Sequence, residues 1–540
     1  MNKIIAFFKT HYYLLTSLLM FFSFPSYEAL PFRLFPLFAW VALVPLFNYV
    51  RGKGAREVYT SSFIAGLIGN FLAFEWIGNF GAAATGGYTV IVAFLISILT
   101  VYFSIKIALA EFISRRFESL RVLVFPSVWV AVDWIASIGF LAYPLPFWGY
   151  SQYPFIPFIQ MASLTGVMGI TFVVILFNYL LAEFFAAGGF AKRPVRNILR
   201  MREARRIAIL GAFVLVVSAC GGGLLYVNNG RTGRDLRVAM IQSCISPWEN
   251  WSVNRFRYLA ELKRQTGMSM GDNPDLIIWS ESATLETISY DYETGNLNEF
   301  EMEVLSLARN YERPILTGEI GVTEETSGPF INRYPQNNAV LIDRSGEVVK
   351  TYAKIHLVPF GEWFPYEKWL PFVKRIAAGF WGSSFVPGDR PVLFEVEGRR
   401  FGVLVCYEGI FHRLCREYRR MGADYFINIT NDGWTDTYRG HMQHFSASIF
   451  RAVENGVWYL RAGNTGYTAS IDPFGRVRKS IPILKRGYLA ADLDFSLNRR
   501  TVYTIIGDLF LYIAMAFVAV LALIIAGERV RARRGKSTRE

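Results

Sequence analysis

The ten residues Phe401–Ile410, FGVLVCYEGI, run apolar without alternation as far as Val405 and then deliver a thiol, a phenol and a carboxylate in succession. An uninterrupted apolar run of this kind reads as a strand covered on both faces, as at the middle of a layered α/β sheet. The end of such a strand is a rigid mount from which a side chain can be aimed into a cleft. Cys406 alone is weak evidence, because free cysteine usually packs as a small apolar residue. It becomes a nucleophile where a base removes its proton and a nearby cation stabilises the thiolate.

The same texture extends on either side. Short β-rich runs include LRVAMIQ (236–242), DLIIWSES (275–282), RPILTGEI (313–320) and NNAVLIDRSGEVVKTYAK (337–354), and after the opening stretch ADYFINIT (423–430), VWYLRAGN (457–464), TASIDPFG (468–475) and GYLAADLD (487–494). Helical patterns fall near 252–267, 297–310, 411–421 and 441–455, so this segment of about 275 residues is an α/β domain. Two further strand ends carry ionisable groups: DLIIWSES delivers Glu281, and VVKTYAKIHLVPFGEWFP delivers Lys354 and then Glu362. A carboxylate and an ammonium on strand ends of one domain can serve as the base and the cation. Histidine, the usual base, is present here as His356, His412, His441 and His444. The HMQH spacing of His441 and His444 would suit a metal, but no third ligand accompanies it, and no metal site is expected. The four cysteines, Cys220, Cys244, Cys406 and Cys415, share no CxxC spacing, so neither a zinc site nor a disulfide framework is suggested.

Outside this domain the chain is of another kind. With 53% hydrophobic against 18% charged residues overall, part of it must lie in a membrane. Apolar runs at about 11–26, 34–50, 58–79, 87–113, 122–140, 157–187, 207–227 and 503–526 approach or exceed what crosses roughly 30 Å of hydrocarbon. They predict about eight spans, the first two forming a helical hairpin. Arg51, Lys53, Arg56, Arg115, Arg116, Arg121, the segment AKRPVRNILRMREARR and the tail ERVRARRGKSTRE are basic, whereas the alternate connections GNFGAAATGGY and GFLAYPLPFWGYSQYPFIP contain no lysine or arginine. By the positive-inside rule both termini are cytoplasmic and the α/β domain is extracytoplasmic. The formal charge of +13 is thereby a topology signal, and a nucleic-acid role is not expected. The first apolar run lacks a small-residue cleavage site and reads as retained. VVSACGGG, ending the seventh run, reads as a small-residue helix exit although it has the look of a lipid-attachment cysteine. Glu75, Lys106, Glu111 and Asp133 fall within the apolar runs, where charge is costly; Asp133 is expected to pair between helices.

IIWSES, KIHLVPFGEWFP and VLVCYEG, in that order, resemble the Glu, Lys and Cys motifs of the nitrilase superfamily. Their setting in a multi-span chain, together with FWGYSQYPFIPFIQMASLTGVMGITFVVILFN, is similar to its membrane branch, the apolipoprotein N-acyltransferases. That resemblance implies an α-helical membrane domain of about eight transmembrane helices plus an α/β nitrilase-like αββα sandwich. The divisions expected are 1–230 for the first seven spans, 231–497 for the catalytic domain and 498–540 for the last span and basic tail. It implies Glu281 as general base, Lys354 as the cation stabilising thiolate and oxyanion, and Cys406 as nucleophile. Supporting roles fall to Glu362, Tyr407, Glu408, Trp251 and Trp434, the tryptophans near a lipid entrance. There are departures: Trp434 is followed by TDTYRG, and WSES has Ser280 where the family often has proline.

The activity so implied transfers an acyl chain from a glycerophospholipid, through a cysteine thioester, to the α-amino group of an N-terminal diacylglyceryl-cysteine on a lipoprotein. No cofactor is needed, and a monomer in the inner membrane with its catalytic domain in the periplasm is the expected form. The loop Pro365–Gly388, rich in aromatics and carrying Gly379, Gly382 and Gly388, reads equally as a cover for the cleft or as an interfacial anchor. Two other readings stay open: a membrane-anchored amidase using the same three residues with water as acceptor, and a non-enzymatic transporter or binding protein.

Overall fold

The computed structural model describes residues 10–28, 32–79, 88–139, 142–190, 198, 200–230, 233–327, 330–364, 384–435 and 437–537. It divides into two compact units, one built of residues 1–75, 92–223 and 505–540, the other of 76–91 and 224–504.

The first unit is helical. Its main helices are α1 (Ala55–Phe74), α2 (Tyr88–Ser114), α3 (Arg121–Ile135), α4 (Ala162–Ala186) and α5 (Arg202–Val227), with a last helix Leu509–Ser537. Among the described residues, five helical stretches are long and apolar enough to cross a membrane: Ala55–Asn79, Val92–Ser114, Ala162–Ala186, Arg202–Val227 and Leu509–Ala532. The eight runs of the sequence therefore do not become eight long helices. The first two break into the short helices Leu15–Phe21, Phe35–Phe38 and Val44–Val50. Pro36 and Pro45 stand in the first turns of the latter two, where proline starts a helix but cannot continue an earlier one. The run at 122–140 yields the 15-residue α3 with Pro126 inside it.

α1 buries a stripe of small residues, Ser61, Ser62, Ala65, Gly66, Gly69 and Ala73. A Cβ at Gly66 would lie 2.7 Å from the Phe103 ring of α2, so the close approach needs glycine there. Lys106 of α2 pairs with Asp133 of α3, both buried, and its ammonium stands 4.7 Å from the Trp129 ring centroid. Glu111 pairs with Arg121. VVSACGGG is not a helix exit, because α5 continues to Val227; Gly221 instead lets that helix approach the Pro157 carbonyl.

Among the described residues, the second unit holds twelve strands in two six-stranded sheets, ordered β12-β1-β2-β3-β4-β5 and β11-β10-β9-β8-β7-β6. The first comprises β1 (Leu236–Gln242), β2 (Leu276–Ile278), β3 (Ile315–Ser327), β4 (Phe330–Ile342), β5 (Val348–Ala353) and β12 (Gly487–Leu493). The second comprises β6 (Leu393–Val396), β7 (Arg399–Val405), β8 (Tyr425–Thr430), β9 (Trp458–Gly463), β10 (Thr468–Ile471) and β11 (Val477–Ile481). Each sheet is parallel at its centre, β1-β2-β3 and β7-β8-β9, and antiparallel at its edges. In β7, for example, Val403 lies opposite Ile427 of β8.

Parallel neighbours require crossovers, and helices supply them. α6 (Trp251–Ser269) and α7 (Glu299–Tyr311) pack on the first sheet through Leu259, Leu262, Phe300 and Val304 against Ile241, Ile277, Ile315 and Ile342. α8 (His412–Met421) and α9 (Tyr438–Asn455) lie on the second, and the sheets face each other through β1 with β9 and β4 with β7. The result is an αββα sandwich. Burial on both faces explains why β8 is buried at every residue and why FGVLV carries no polar alternation.

Candidate active site

Carboxyl ends of parallel strands are where layered α/β domains present ligands, and here Glu281 follows β2, Cys406 follows β7 and Asn431 follows β8. Lys354 follows the antiparallel β5. These four groups, with Glu362, Trp251 and Trp434, line one cavity of about 290 Å³. Its apolar wall includes Trp248, Leu285 and Phe385.

Cys406 is buried and adopts φ +51°, a left-handed conformation uncommon for a residue with a side chain. It opens the 3-10 turn Cys406–Ile410. Burial, and then the Glu281 charge, push the thiol well above its ordinary range, with Lys354 opposing them. The resting thiol is therefore neutral.

Glu281 lines the same cavity as the Cys406 thiol, and the two interact electrostatically. Its Oε1 accepts from Asn337 Nδ2 at 2.9 Å and its Oε2 from the Asn431 backbone N–H at 2.8 Å. Burial raises the Glu281 pKa above the usual carboxylate value, and Lys354 pulls it back in part. A carboxyl so raised is a better proton acceptor. Lys354 Nζ donates to Glu362 Oε1 at 2.8 Å and lies 3.6 Å from Glu281 Oε1. Burial disfavours its charge, but Glu362 and Glu281 more than offset that, so the ammonium is held protonated. Glu362 is itself fixed, Oε2 accepting from the Val358 N–H at 2.7 Å and Oε1 from Asn337 Nδ2 at 2.6 Å.

Tyr407 and Glu408 are not among the residues lining the cavity. The Tyr407 ring meets Phe411 edge-on at 5.2 Å. Glu408 accepts from Tyr352 Oη and the Ile355 N–H at 2.7 Å each, from the His356 N–H at 3.1 Å and from the Val405 N–H at 2.8 Å. One carboxyl thus ties the segment after Lys354 to the turn that carries Cys406. Burial pushes Glu408 up to about 7.

Trp251 Nε1 donates to Glu286 Oε1 at 2.8 Å, and its ring stands edge-on to Phe300. Trp434 meets Trp248 edge-on at 5.2 Å. Of the loop Pro365–Gly388, residues 365–383 lie outside the described residues.

Sequence reasoning missed Asn337, whose amide joins the two carboxylates, and the Asn431 N–H. Asn337 was visible only as one of the polar residues Gln336, Asn337 and Asn338 ahead of the apolar run Ala339–Ile342. His441 and His444 both face Asp432, at 3.5 and 2.9 Å. Arg461 bonds the same carboxylate. No group of three or more His, Cys, Asp or Glu residues able to hold a metal occurs among the described residues.

The apolipoprotein N-acyltransferase N-terminal domain family matches residues 16–180, and the carbon-nitrogen hydrolase family matches 237–503. The apolipoprotein N-acyltransferase of Geobacter metallireducens is 31% identical over 94% of this chain and 93% of its own. Apolipoprotein N-acyltransferase 1 of Treponema denticola is 30% identical over 88% of this chain and 89% of its own. Among solved structures, an amidase from Nesterenkonia sp. AN1 aligns with TM-score 0.36 at 20% identity, covering 49% of this chain and 93% of that one. A cysteine, a carboxylate and an ammonium at one cavity, in a chain with membrane-length apolar helices, accord with the full-length relatives: the chain belongs to the apolipoprotein N-acyltransferase family.

Proposed function

We propose that this enzyme takes an acyl chain from a glycerophospholipid onto Cys406 and passes it to the α-amino group of a diacylglyceryl-cysteine at the N-terminus of a lipoprotein. Residues 231–497 are the catalytic domain in this reading, and 1–230 and 498–540 the membrane part. The observation that carries it is the convergence of Cys406, Glu281 and Lys354 on one apolar-walled cavity.

In the first half-reaction Glu281 takes the thiol proton as sulfur attacks the ester carbonyl. The tetrahedral oxyanion is stabilised by the Lys354 ammonium, whose effect is strengthened by its burial. The carbon–oxygen bond breaks, Glu281 returns the proton to the leaving alkoxide, and a lysophospholipid departs. In the second, the free amine attacks the thioester, loses its proton to Glu281 and displaces the Cys406 thiolate, which is reprotonated. An amide forms and the enzyme is restored, so the kinetics are ping-pong.

The alternation of basic and uncharged connections supports an inner-membrane location with cytoplasmic termini and the catalytic domain in the periplasm. A monomer suffices, since one chain supplies every group named at the cavity. Incubation of purified protein with acyl-labelled phospholipid tests the reading: a hydroxylamine-labile adduct on Cys406 is expected. No adduct in the wild type, or an undiminished one in Cys406→Ala, overturns it. Addition of a diacylated lipopeptide then moves label into an amide; release of free fatty acid alone would favour the hydrolase.

A further inference from the structure

The HMQH pair has no part in the roles proposed for Glu281, Lys354 and Cys406, yet His444 points at the backbone of Cys406. Its Nε2 lies 3.2 Å from the Cys406 carbonyl oxygen, and Asn428 Nδ2 donates to the same oxygen at 3.2 Å while also holding the Leu404 carbonyl at 3.0 Å. We propose that His444 and Asn428 are positioning residues that hold Cys406 in its left-handed conformation by capturing its carbonyl oxygen, an inference that rests on Cys406 being the nucleophile.

A positive φ at a residue with a Cβ persists only where its surroundings over-determine it. Here the surroundings are a buried polar network. Arg461 Nη1 donates to Asn428 Oδ1 at 2.7 Å, which orients the amide so that Nδ2 faces the carbonyls. Arg461 Nη2 bonds Asp432, whose Oδ1 also accepts from Thr430 Oγ1 at 3.1 Å. Asp432 Oδ1 stands 2.9 Å from His444 Nδ1, and Arg461 Nη2 stands 3.2 Å from that nitrogen. His441 Nδ1, at 3.5 Å from Asp432, is the other titratable group here.

A carbonyl only accepts, so the clamp needs the proton on His444 Nε2. The charged ring supplies it while Nδ1–H donates to Asp432, and the neutral ring supplies it in the tautomer whose Nδ1 accepts from Arg461. Because the peptide is planar, fixing the Cys406 carbonyl fixes the plane of the Cys406–Tyr407 bond and the direction of the Tyr407 N–H. With β7 holding the Cys406 nitrogen and Cα, a fixed carbonyl also fixes φ and hence the direction of the Cα–Cβ bond.

The test uses full-length protein in detergent. His444→Leu removes the donor; His444→Gln places an amide N–H near the Nε2 position. Alkylation of Cys406 by iodoacetamide, followed by mass spectrometry as a function of pH, reads the thiol without any acyl chemistry. His444→Leu is expected to lower kcat about 10- to 100-fold, the scale of a small misplacement of reacting atoms, with KM nearly unchanged and the alkylation profile displaced. His444→Gln is expected to recover part of both. Should His444→Leu fail to accumulate, Asn428→Asp removes the second donor and is expected to give the same pattern. Wild-type kcat and alkylation in these variants, or a rise in KM with kcat intact, overturns the proposal, as does a His444→Gln no better than His444→Leu. A wild type that forms no acyl adduct, while its alkylation responds as expected, would fail the acyltransfer reading and leave the clamp standing.

Discussion

Lys354 shows how much one side chain depends on burial. Its ammonium is fully enclosed, 2.8 Å from Glu362 and 3.6 Å from Glu281, so neither its charge nor its position is free to change. Lys354→Arg keeps the charge but needs space for a planar fork. We expect a loss of about 10²–10³-fold in kcat, the scale for removing one oxyanion donor, measured as the rate of acyl-adduct formation. Glu281 makes a pH prediction. As a base it works deprotonated, and burial raises its pKa above 4.5, so activity falls with acidification at a pH above that value. The acid limb of kcat/KM against pH checks this, and a limb below 4.5 would contradict it. Glu408 acts on structure: Glu408→Gln puts an NH₂ donor where Tyr352 and three backbone N–H groups already donate. We expect a cost of about 1–3 kcal/mol for each donor left unmatched, read as a fall in the thermal midpoint.

At the scale of elements, the site exists because the ends of four strands, β2, β5, β7 and β8, meet at one cavity. β3 shows the tolerance. Gly318 packs against the turn after β2, and a Cβ there would stand 2.7 Å from the Ser282 nitrogen and 2.9 Å from the Glu281 Cα. Gly318→Ala therefore displaces Glu281, the proposed base, while β3 keeps its pairing with β4. Loss of kcat by at least about tenfold, with the circular-dichroism spectrum unchanged, is the expected outcome. The strands of this domain were legible because continuous apolar runs mark two-sided burial: LRVAMIQ is β1 residue for residue, and FGVLV is the inner part of β7. The membrane runs were less legible, because hydropathy counts apolar length and not helical continuity. The runs 11–26, 34–50 and 122–140 are apolar enough, but the structure shortens or breaks their helices.

At the scale of the whole molecule, the α/β unit is two halves of like design, each three parallel strands followed by an antiparallel extension. Glu281 comes from one half and Cys406 from the other, so in the proposed mechanism neither half carries the chemistry alone. In the helical unit the Lys106–Asp133 pair bridges α2 and α3. Lys106→Met leaves a buried carboxylate without its partner and is expected to destabilise by about 3–5 kcal/mol. Lys106→Met combined with Asp133→Leu should recover most of that in a thermal-denaturation cycle in detergent. The proposed topology predicts that a C-terminal reporter fusion is active only as a cytoplasmic reporter, and that a reporter inserted near residue 230 is active only outside.

Composition and periodicity by themselves determined a membrane chain carrying one α/β domain, and the three motifs carried a family resemblance that led to Glu281, Lys354 and Cys406. These are short-range signals: apolar run length follows from burial, and a charged residue after a buried strand stands out locally. The tertiary structure decided what joins them. Asn337 bridging two carboxylates, Glu408 tying two loops instead of entering the cavity, and His444 on the nucleophile's carbonyl depend on chain segments separated by 25 to 56 residues. No local pattern encodes such contacts, because hydrogen-bond partners in a buried site are chosen by where strands end in space.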